Sequence, residues 1–598
     1  MWKKQKTTRR YLQPPRSERL ATLWADGSII LGEMVLNSDN TVPDYFTETY
    51  SFGICPIYGE DASASDFRKV KSFCFEDGIP VHSLQNNFGE LEVTEEAFCD
   101  LEKKSSVYVK FKVSNPTEKA VSFGFIVRTG LETDLAFDGP DVYKSYNPDI
   151  ALWKKLKADW VGDGKEISDG ARFIKVLKGD FSFDEKNGIL KTKIRPKSAY
   201  EFIILMGKET RPSYDYEAQK LKTVEFYKNE LKRIKNMPKN ADEQMVKSLV
   251  IQLLQCFSAP RDKEFLLLRQ GGLQRRVWPF EAMYALEALD RIGDFDDYVE
   301  PVIDGYFEVM QIETGEIVPL GIYWAMSTAV SLYSFADHAL RRGKRFYLKH
   351  RNGAIKAFNF IKNTRVCEAS DPTVLKGLFP PLQSSDAEVK LQNWTFTDGN
   401  NLLGLEKFSQ AARHFSDEKY DEILAEAEDY KRVLRYCFDK AAASAKNPDS
   451  FLLPVYVPDM PEGSPYPFRV HESVVASVLK LSEEEVKPLI KGLEDDNSRH
   501  EGLFNRMCDH YRMKDSDGKV RIWYTTLEEA YWFDVFLRLG KRDICESIIK
   551  SIIDYAMSEE YYMTERYHPL DPYFTPWSPN ASASGRLIIM LLRLEENK

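Results

Sequence analysis

Glu528-Glu529-Ala530-Tyr531-Trp532-Phe533-Asp534-Val535-Phe536-Leu537-Arg538-Leu539-Gly540-Lys541-Arg542-Asp543-Ile544-Cys545-Glu546-Ser547-Ile548-Ile549 is the stretch that decides the fold. Apolar side chains recur at helical spacing on both sides of a glycine, which predicts helices over 525–539 and 542–557 with a short link at Gly540. Two helices joined so tightly form an antiparallel hairpin. Working outward, the same pattern predicts helices over 241–258, 279–292, 295–312, 324–342, 345–363, 400–415, 418–440, 470–480, 482–493 and 580–595. Long aromatic loops separate the pairs, at 259–278, 364–399, 441–469, 494–524 and 558–579. Loops of that length in a compact domain are usually functional. Their rhythm predicts an (α/α)6 toroid of six helical hairpins over 241–598. The loops bearing Trp278, Trp394, Trp523 and Glu565 are then expected to gather at one mouth.

Before residue 214 the texture is different. Short β-prone runs alternate with turn signals: 23–36 broken by Asp26-Gly27, then 106–113, 121–128, 173–177, and 189–194 after Asn187-Gly188. Ser106-Val107-Tyr108-Val109-Lys110-Phe111-Lys112-Val113 alternates as a half-buried strand does. Residues 1–213 therefore read as a β-sandwich domain. A charged amphipathic helix over 214–235 and the run Asn236-Met237-Pro238-Lys239-Asn240 form a linker and boundary.

Composition narrows the partners. The 598 residues carry a net charge of -10 with no long basic run, which argues against a nucleic-acid backbone. The chain is 13% aromatic, with 30 Tyr, 36 Phe and 10 Trp, enough rings to line a carbohydrate cleft. Its eight cysteines include no CxxC pair, so neither a zinc site nor a disulfide framework is signalled, and a reducing compartment is expected. Met1-Trp2-Lys3-Lys4-Gln5-Lys6 is basic but lacks an apolar core, and no run approaches the roughly 18 apolar residues of a membrane span. A cytoplasmic, soluble protein without membrane partner or cofactor is the expectation. The eight histidines are scattered without metal spacing; His471-Glu472 and His500-Glu501 do not form HExxH.

The chemistry concentrates near the end of the chain. Tyr562-Met563-Thr564-Glu565-Arg566-Tyr567-His568 sets a carboxylate between aromatic and cationic side chains, and Trp577-Ser578-Pro579-Asn580-Ala581 follows before the last helix. Sugars present a hydroxyl rim and an apolar face, so a site for them needs stacking rings and charged hydrogen-bonders, and cleavage needs two carboxyls. The plain alternative is a solvated Glu565–Arg566 pair.

Three segments resemble a known family. Gly271-Gly272-Leu273-Gln274-Arg275-Arg276-Val277-Trp278-Pro279-Phe280-Glu281 resembles the glycine-rich Trp-Pro-Arg-Asp segment of the glucoamylase-like six-hairpin glycosidases. Glu313-Thr314-Gly315-Glu316-Ile317-Val318-Pro319 with Trp324 resembles the segment that follows it there and in glycogen-debranching relatives. Met563-Thr564-Glu565-Arg566-Tyr567 with Trp577-Ser578 is similar to their Ser-Glu-Gln-Tyr and Trp-Ser pattern, whose Glu is the catalytic base. The resemblance thus implies a β-sandwich before an (α/α)6 barrel, and Glu565 as base.

Two positions depart from the family. Where its acid motif has Trp-Glu-Glu, this chain has Asn393-Trp394-Thr395-Phe396-Thr397-Asp398-Gly399-Asn400. Asp398 is the nearest carboxyl, and its plain reading is a helix N-cap, whose backbone bonds would favour the ionised form when an acid must hold its proton. The family's sugar-binding Asp after Arg is replaced by Phe280-Glu281, so Glu281 is expected either to bind sugar hydroxyls or to be the acid itself; related α-L-rhamnosidase-type toroids place an acidic residue in a comparable loop as proton donor. Glu528 and Glu529 read as first-turn residues of a helix capped by Thr525 or Thr526.

Together these readings predict a glycoside hydrolase acting on an α-linked oligosaccharide or glycoside by inversion. Glu565 serves as base and Asp398 or Glu281 as acid. Arg275, Arg276, Trp278, Trp324, Trp394, Trp523, Arg566 and Trp577 are the expected sugar-binding residues. A phosphorylase of the same layout and a catalytically silent carbohydrate-binding scaffold are the rivals.

Overall fold

The computed structural model describes residues 2–33, 50–74, 76–131, 153–208, 213–260, 264–271, 277–319, 323–365, 377–380, 394–453, 470–496, 502, 506–507, 523–567, 570–573 and 578–596. Among the described residues, fifteen strands fill the first part: β1 (Arg9–Tyr11), β2 (Arg19–Trp24), β3 (Ile29–Glu33), β4 (Tyr50–Tyr58), β5 (Lys71–Cys74), β6 (His82–Phe88), β7 (Leu91–Cys99), β8 (Val107–Asn115), β9 (Val121–Leu131), β10 (Val161–Gly162), β11 (Glu166–Ser168), β12 (Arg172–Lys178), β13 (Ser182–Asp184), β14 (Ile189–Ile194) and β15 (Ser198–Lys208). They form two antiparallel sheets, in the orders β1-β2-β3-β4-β9-β14-β13 and β10-β11-β12-β15-β8-β7-β6-β5.

Alternation explains why the two sheets share a core. Val107, Val109, Phe111 and Val113 of β8 point to one face, where they meet Phe123, Phe125 and Val127 of β9 from the other sheet. The opposite face of β8 presents Tyr108, which stacks on Phe98 at 5.2 Å and packs with Tyr216 and Tyr227 of the first helix. That helix, α1 (Tyr216–Leu231), starts where the Asp215 side chain accepts the Ala218 amide at 3.0 Å.

Twelve further helices follow among the described residues: α2 (Glu243–Gln255), α3 (Pro279–Ile292), α4 (Asp296–Gly305), α5 (Ser327–Arg342), α6 (Lys344–Arg365), α7 (Thr395–His414), α8 (Tyr420–Ser444), α9 (Val470–Val478), α10 (Glu483–Asp495), α11 (Glu529–Arg538), α12 (Arg542–Ser551) and α13 (Ala581–Glu596). Their contacts close a cycle: α3 packs on α5, α5 on α7, α7 on α9, α9 on α11, α11 on α13, and α13 on α3. α2, α4, α6, α8 and α12 each pack against one or two members of that cycle. Burial follows the arrangement. α3 buries every residue except Arg291, whereas α6 buries a single stripe, Phe346, Tyr347, His350, Ala354, Ala357, Phe358, Ile361 and Arg365.

Two expected helix starts move. α7 begins at Thr395 rather than near 400, with Trp394 at the N-cap, so Asp398 lies inside its first turn and is not a cap. α11 begins at Glu529 rather than 525 and has no side-chain cap. For α11 the cause is strand pairing. Trp523–Thr525 forms a small sheet between Arg506–Met507 and Arg566–Tyr567, with Tyr524 opposite Tyr567 and Thr525 opposite Arg566.

Close approach in the cycle depends on glycine. A Cβ on Gly585 of α13 would fall 2.6 Å from the Tyr284 carbonyl oxygen of α3, and one on Gly404 of α7 would fall 2.1 Å from the Ala329 carbonyl oxygen of α5. Both neighbours are backbone atoms and cannot swing away. Gly585→Ala is therefore expected to cost about 1–3 kcal/mol, the usual range for overpacking, read as a lowered urea midpoint. An unchanged midpoint would show that α3 and α13 separate freely at this point.

Candidate active site

Trp278 and Pro279 open α3. Proline has no N–H to lose at the first helical position, and this fixes Glu281 in the first turn. Around Trp278 an aromatic wall assembles from three helix starts. Its ring stacks on Trp324 at 5.3 Å; Phe280 lies 5.7 Å from Trp324 and 5.4 Å from Phe396. Trp394 packs 6.1 Å from His471 at the start of α9. The starts of α3, α5, α7 and α9 are thus joined side chain to side chain.

The segment before α13 meets α3 and α11 at the same end. The Ala581 amide donates to the Gln270 carbonyl at 2.8 Å, the Asn580 amide to Met563 at 3.1 Å, and the Thr526 amide to the Glu565 carbonyl at 3.0 Å. These bonds fix the Glu565 backbone between Gln270 and the start of α11. The residue is 4% exposed. One carboxylate oxygen accepts from Arg566 Nε at 3.0 Å and the other from the Gln270 side-chain amide. The Glu565–Arg566 pair exists, but it is buried rather than solvated.

Glu281 lies within the field of this carboxylate, with Arg586 Nη1 of α13 at 3.8 Å from its Oε2. Burial pushes the Glu281 carboxyl up to about 7; Arg586 opposes the rise, and the negative charge of Glu565 adds to it. Glu528 is fully buried, and burial together with the neighbouring Glu529 and Glu565 charges raises it far above the ordinary carboxylate range. Neither Glu528 oxygen has a hydrogen-bond partner among the described residues. Four buried carboxyls, Glu281, Glu528, Glu529 and Glu565, therefore share one site with Arg566 and Arg586. The floor continues across the cycle: the Arg586 guanidinium lies 5.0 Å over the Tyr284 ring, Tyr284 meets Tyr531 edge-on at 6.5 Å, and the Tyr531 hydroxyl donates to Asn400 at 2.6 Å.

Asp398 goes elsewhere. Two residues along an α-helix is a rotation of about 200°, so with Asn400 turned toward Tyr531, Asp398 faces the opposite side of α7. There its Oδ1 accepts the Phe379 amide at 2.9 Å and the hydroxyl of Tyr430 on α8. Arg365 of α6 stacks 3.8 Å over the Tyr430 ring. Burial raises Asp398 to about 6 against those two hydrogen bonds and Arg365.

Glu565, Arg566, Glu281, Trp278 and Trp324 are thus brought into contact with one another or with shared neighbours, and Trp394 joins them through the helix starts. The backbone of Trp523 lies in the strand beside Arg566 and Tyr567. The side chain of Trp523, and all of Arg275, Arg276 and Trp577, lie outside the described residues. Arg586, Gln270, Tyr284, Tyr531 and Asn400 escaped the sequence reading, and Glu528 and Glu529 were read there as helix-start residues. Arg586 carried a visible signal, a single cation within the small and apolar run Ala581-Ser582-Ala583-Ser584-Gly585-Arg586-Leu587-Ile588.

A buried carboxyl whose proton binding is strengthened in the fold makes stability pH-dependent. Glu281 has its ordinary affinity when unfolded and titrates near 7 when folded, so its contribution is full below about pH 4 and is lost as pH rises toward 7. Glu528 acts in the same sense. Glu281→Gln is expected to raise the melting temperature at pH 8 by an amount equivalent to a few kcal/mol, and to change it little at pH 4. Equal effects at both pH values would remove the buried-acid reading.

No protein-family model matches the sequence, and no curated protein matches it. The chain is similar in structure to a variant of a glycosidase, at 12% identity and a TM-score of 0.44, over 61% of this chain and 98% of that one. It is similar to a putative kojibiose phosphorylase from the human microbiome, at 10% identity and a TM-score of 0.46, over 98% of this chain and 82% of that one. A metal-independent alpha mannosidase from Streptococcus pneumoniae, in a non-productive complex with alpha-1,6-mannobiose, is similar at 9% identity and a TM-score of 0.43, over 62% of this chain and 98% of that one.

Proposed function

We propose that this chain is a glycoside hydrolase, with a β-sandwich domain over 1–213, a linker over 214–240 and an (α/α)6 toroid over 241–598. The observation that carries the reading is the pairing of two buried carboxyls in unequal surroundings. Glu565 has donors on both oxygens, which stabilise a negative charge. Glu281, pushed up to about 7 by burial, keeps its proton at neutral pH in a large share of molecules.

Each environment suits one role. Glu565, as a carboxylate, takes a proton from water as that water attacks the anomeric carbon. Glu281 gives its proton to the departing glycosidic oxygen. Inversion needs the two carboxyls about 6.5–9.5 Å apart to admit the water, whereas about 5 Å would place Glu565 as a nucleophile. The stacked Trp278 and Trp324 supply the apolar wall for a sugar ring. Asp398, held by Tyr430 and Phe379, acts as a brace between α7 and α8 and not as the acid.

A phosphorylase would need cations free to hold phosphate. Arg566 is bonded to Glu565, which favours water as the nucleophile. The test is a panel of aryl glycosides assayed with and without inorganic phosphate, with the anomer of the first product read by NMR. Release independent of phosphate, giving the inverted anomer, is expected. Cleavage that requires phosphate would replace this reading with the phosphorylase, and binding without turnover would replace it with the silent scaffold.

A further inference from the structure

We propose that the segment 2–10 is a strap that positions the Glu565 loop, with Trp2 as its positioning residue; this rests on the proposed role of Glu565. Residues 557–567 and 570–573 are separated from that segment by more than five hundred positions in the sequence, yet they are joined to it at several points. Gln5 bridges Ser558 in parallel fashion, and the Lys6 amide donates to the Pro572 carbonyl at 2.7 Å. Thr7 and Ser558 share a buried hydroxyl pair at 2.7 Å. Arg10 forks onto Glu560 through two bonds of 3.0 and 2.9 Å, with the Arg10 side chain fully buried. These bonds hold both flanks of Glu565.

Trp2 reaches further in. Its indole meets Tyr524 at 4.7 Å, Tyr555 at 5.0 Å and Tyr567 at 6.5 Å, each edge to face. Tyr524 and Tyr567 are the paired strand residues on either side of Thr525 and Arg566, and their rings stack at 5.9 Å. Tyr567 in turn lies close enough to Glu529 to feel its charge. Trp2 is thus a floor beneath the two strands that present Arg566, Glu565 and the carboxyls at the start of α11. A ring removed there lets the strand pair sink, and misplacement of a base by a fraction of its hydrogen-bond reach is costly.

The strap therefore makes the segment leading into the sandwich part of the catalytic geometry, through Tyr567 and Tyr524, without touching substrate. The experiment uses the full chain. Trp2→Ala and Trp2→Phe are compared with the parent by kcat and KM on the aryl glycoside that the parent turns over, and by hydrogen exchange of the 557–567 amides. For Trp2→Ala, kcat is expected to fall about 10- to 100-fold with KM little changed, and exchange to quicken over 557–567 but not in β8. Trp2→Phe, which keeps a ring, should restore most of both. Thr7→Val, which deletes only the hydroxyl shared with Ser558, should move both readouts in the same direction by less, and serves if Trp2→Ala does not fold. Parental kcat and parental loop exchange in Trp2→Ala, or in Thr7→Val if only that variant folds, overturn the strap. If the parent turns over no glycoside, exchange alone decides: quickening confined to the loop keeps the strap while the hydrolase reading falls.

Discussion

Glu565→Gln is expected to lower turnover about 100- to 10,000-fold, the contribution usual for a general acid or base, while sugar binding persists. The amide keeps the size of the carboxyl, so the packing against Arg566 and Gln270 survives, but it takes no proton from water. The effect therefore belongs in kcat and leaves the dissociation constant of an unreactive oligosaccharide close to that of the parent. Fluorescence titration of that ligand alongside steady-state kinetics separates the two. Turnover near the parent's value would return Glu565–Arg566 to a buried structural pair.

The second large effect identifies the proton donor. A sugar alkoxide needs a proton as it leaves, whereas a dinitrophenolate departs largely unaided, so loss of the acid is felt unequally on the two. Glu281→Gln is expected to cut activity by about 100-fold or more on an oligosaccharide and far less on a dinitrophenyl glycoside. Activity of the parent is expected to fall as Glu281, pushed up to about 7, loses its proton, and that limb of the pH profile should vanish in Glu281→Gln. Asp398→Asn keeps one oxygen for the Phe379 amide and the Tyr430 hydroxyl but loses the charge and puts an N–H2 group at the buried, unpartnered Oδ2 position, so it should lower stability and affect both substrates alike. A selective loss in Asp398→Asn instead, or in Glu528→Gln, would transfer the role of acid to that residue.

Much of the architecture was legible because periodicity is a local property. The runs at 106–113 and 189–194 alternate, and each gave a strand, β8 and β14. Every helix expected after residue 240 has a counterpart, since apolar recurrence at 3.6 residues needs no knowledge of what lies opposite. Glu565 and Arg566 were also visible as neighbours, and so was the aromatic and glycine-rich entry to α3.

What the chain could not announce was partnership across distance. The sequence by itself determined that Asp398 and Glu281 both stand at the start of a helix. Only the tertiary structure decided that Asp398 turns to Tyr430 on α8 while Glu281 turns to Arg586 and Glu565. The reason is geometric: a carboxyl's character depends on burial and on charges brought from elsewhere in the chain, as Arg586 comes to Glu281 from hundreds of residues away and the Glu565 charge reaches Glu528 from beyond α11 and α12. Strand pairing did the same to local propensity at 523–525, where Tyr524 took Tyr567 as partner and the expected helix began four residues later. Trp2 is the extreme case, a residue with no local pattern around it whose place beneath Tyr524 and Tyr567 exists only in the folded chain.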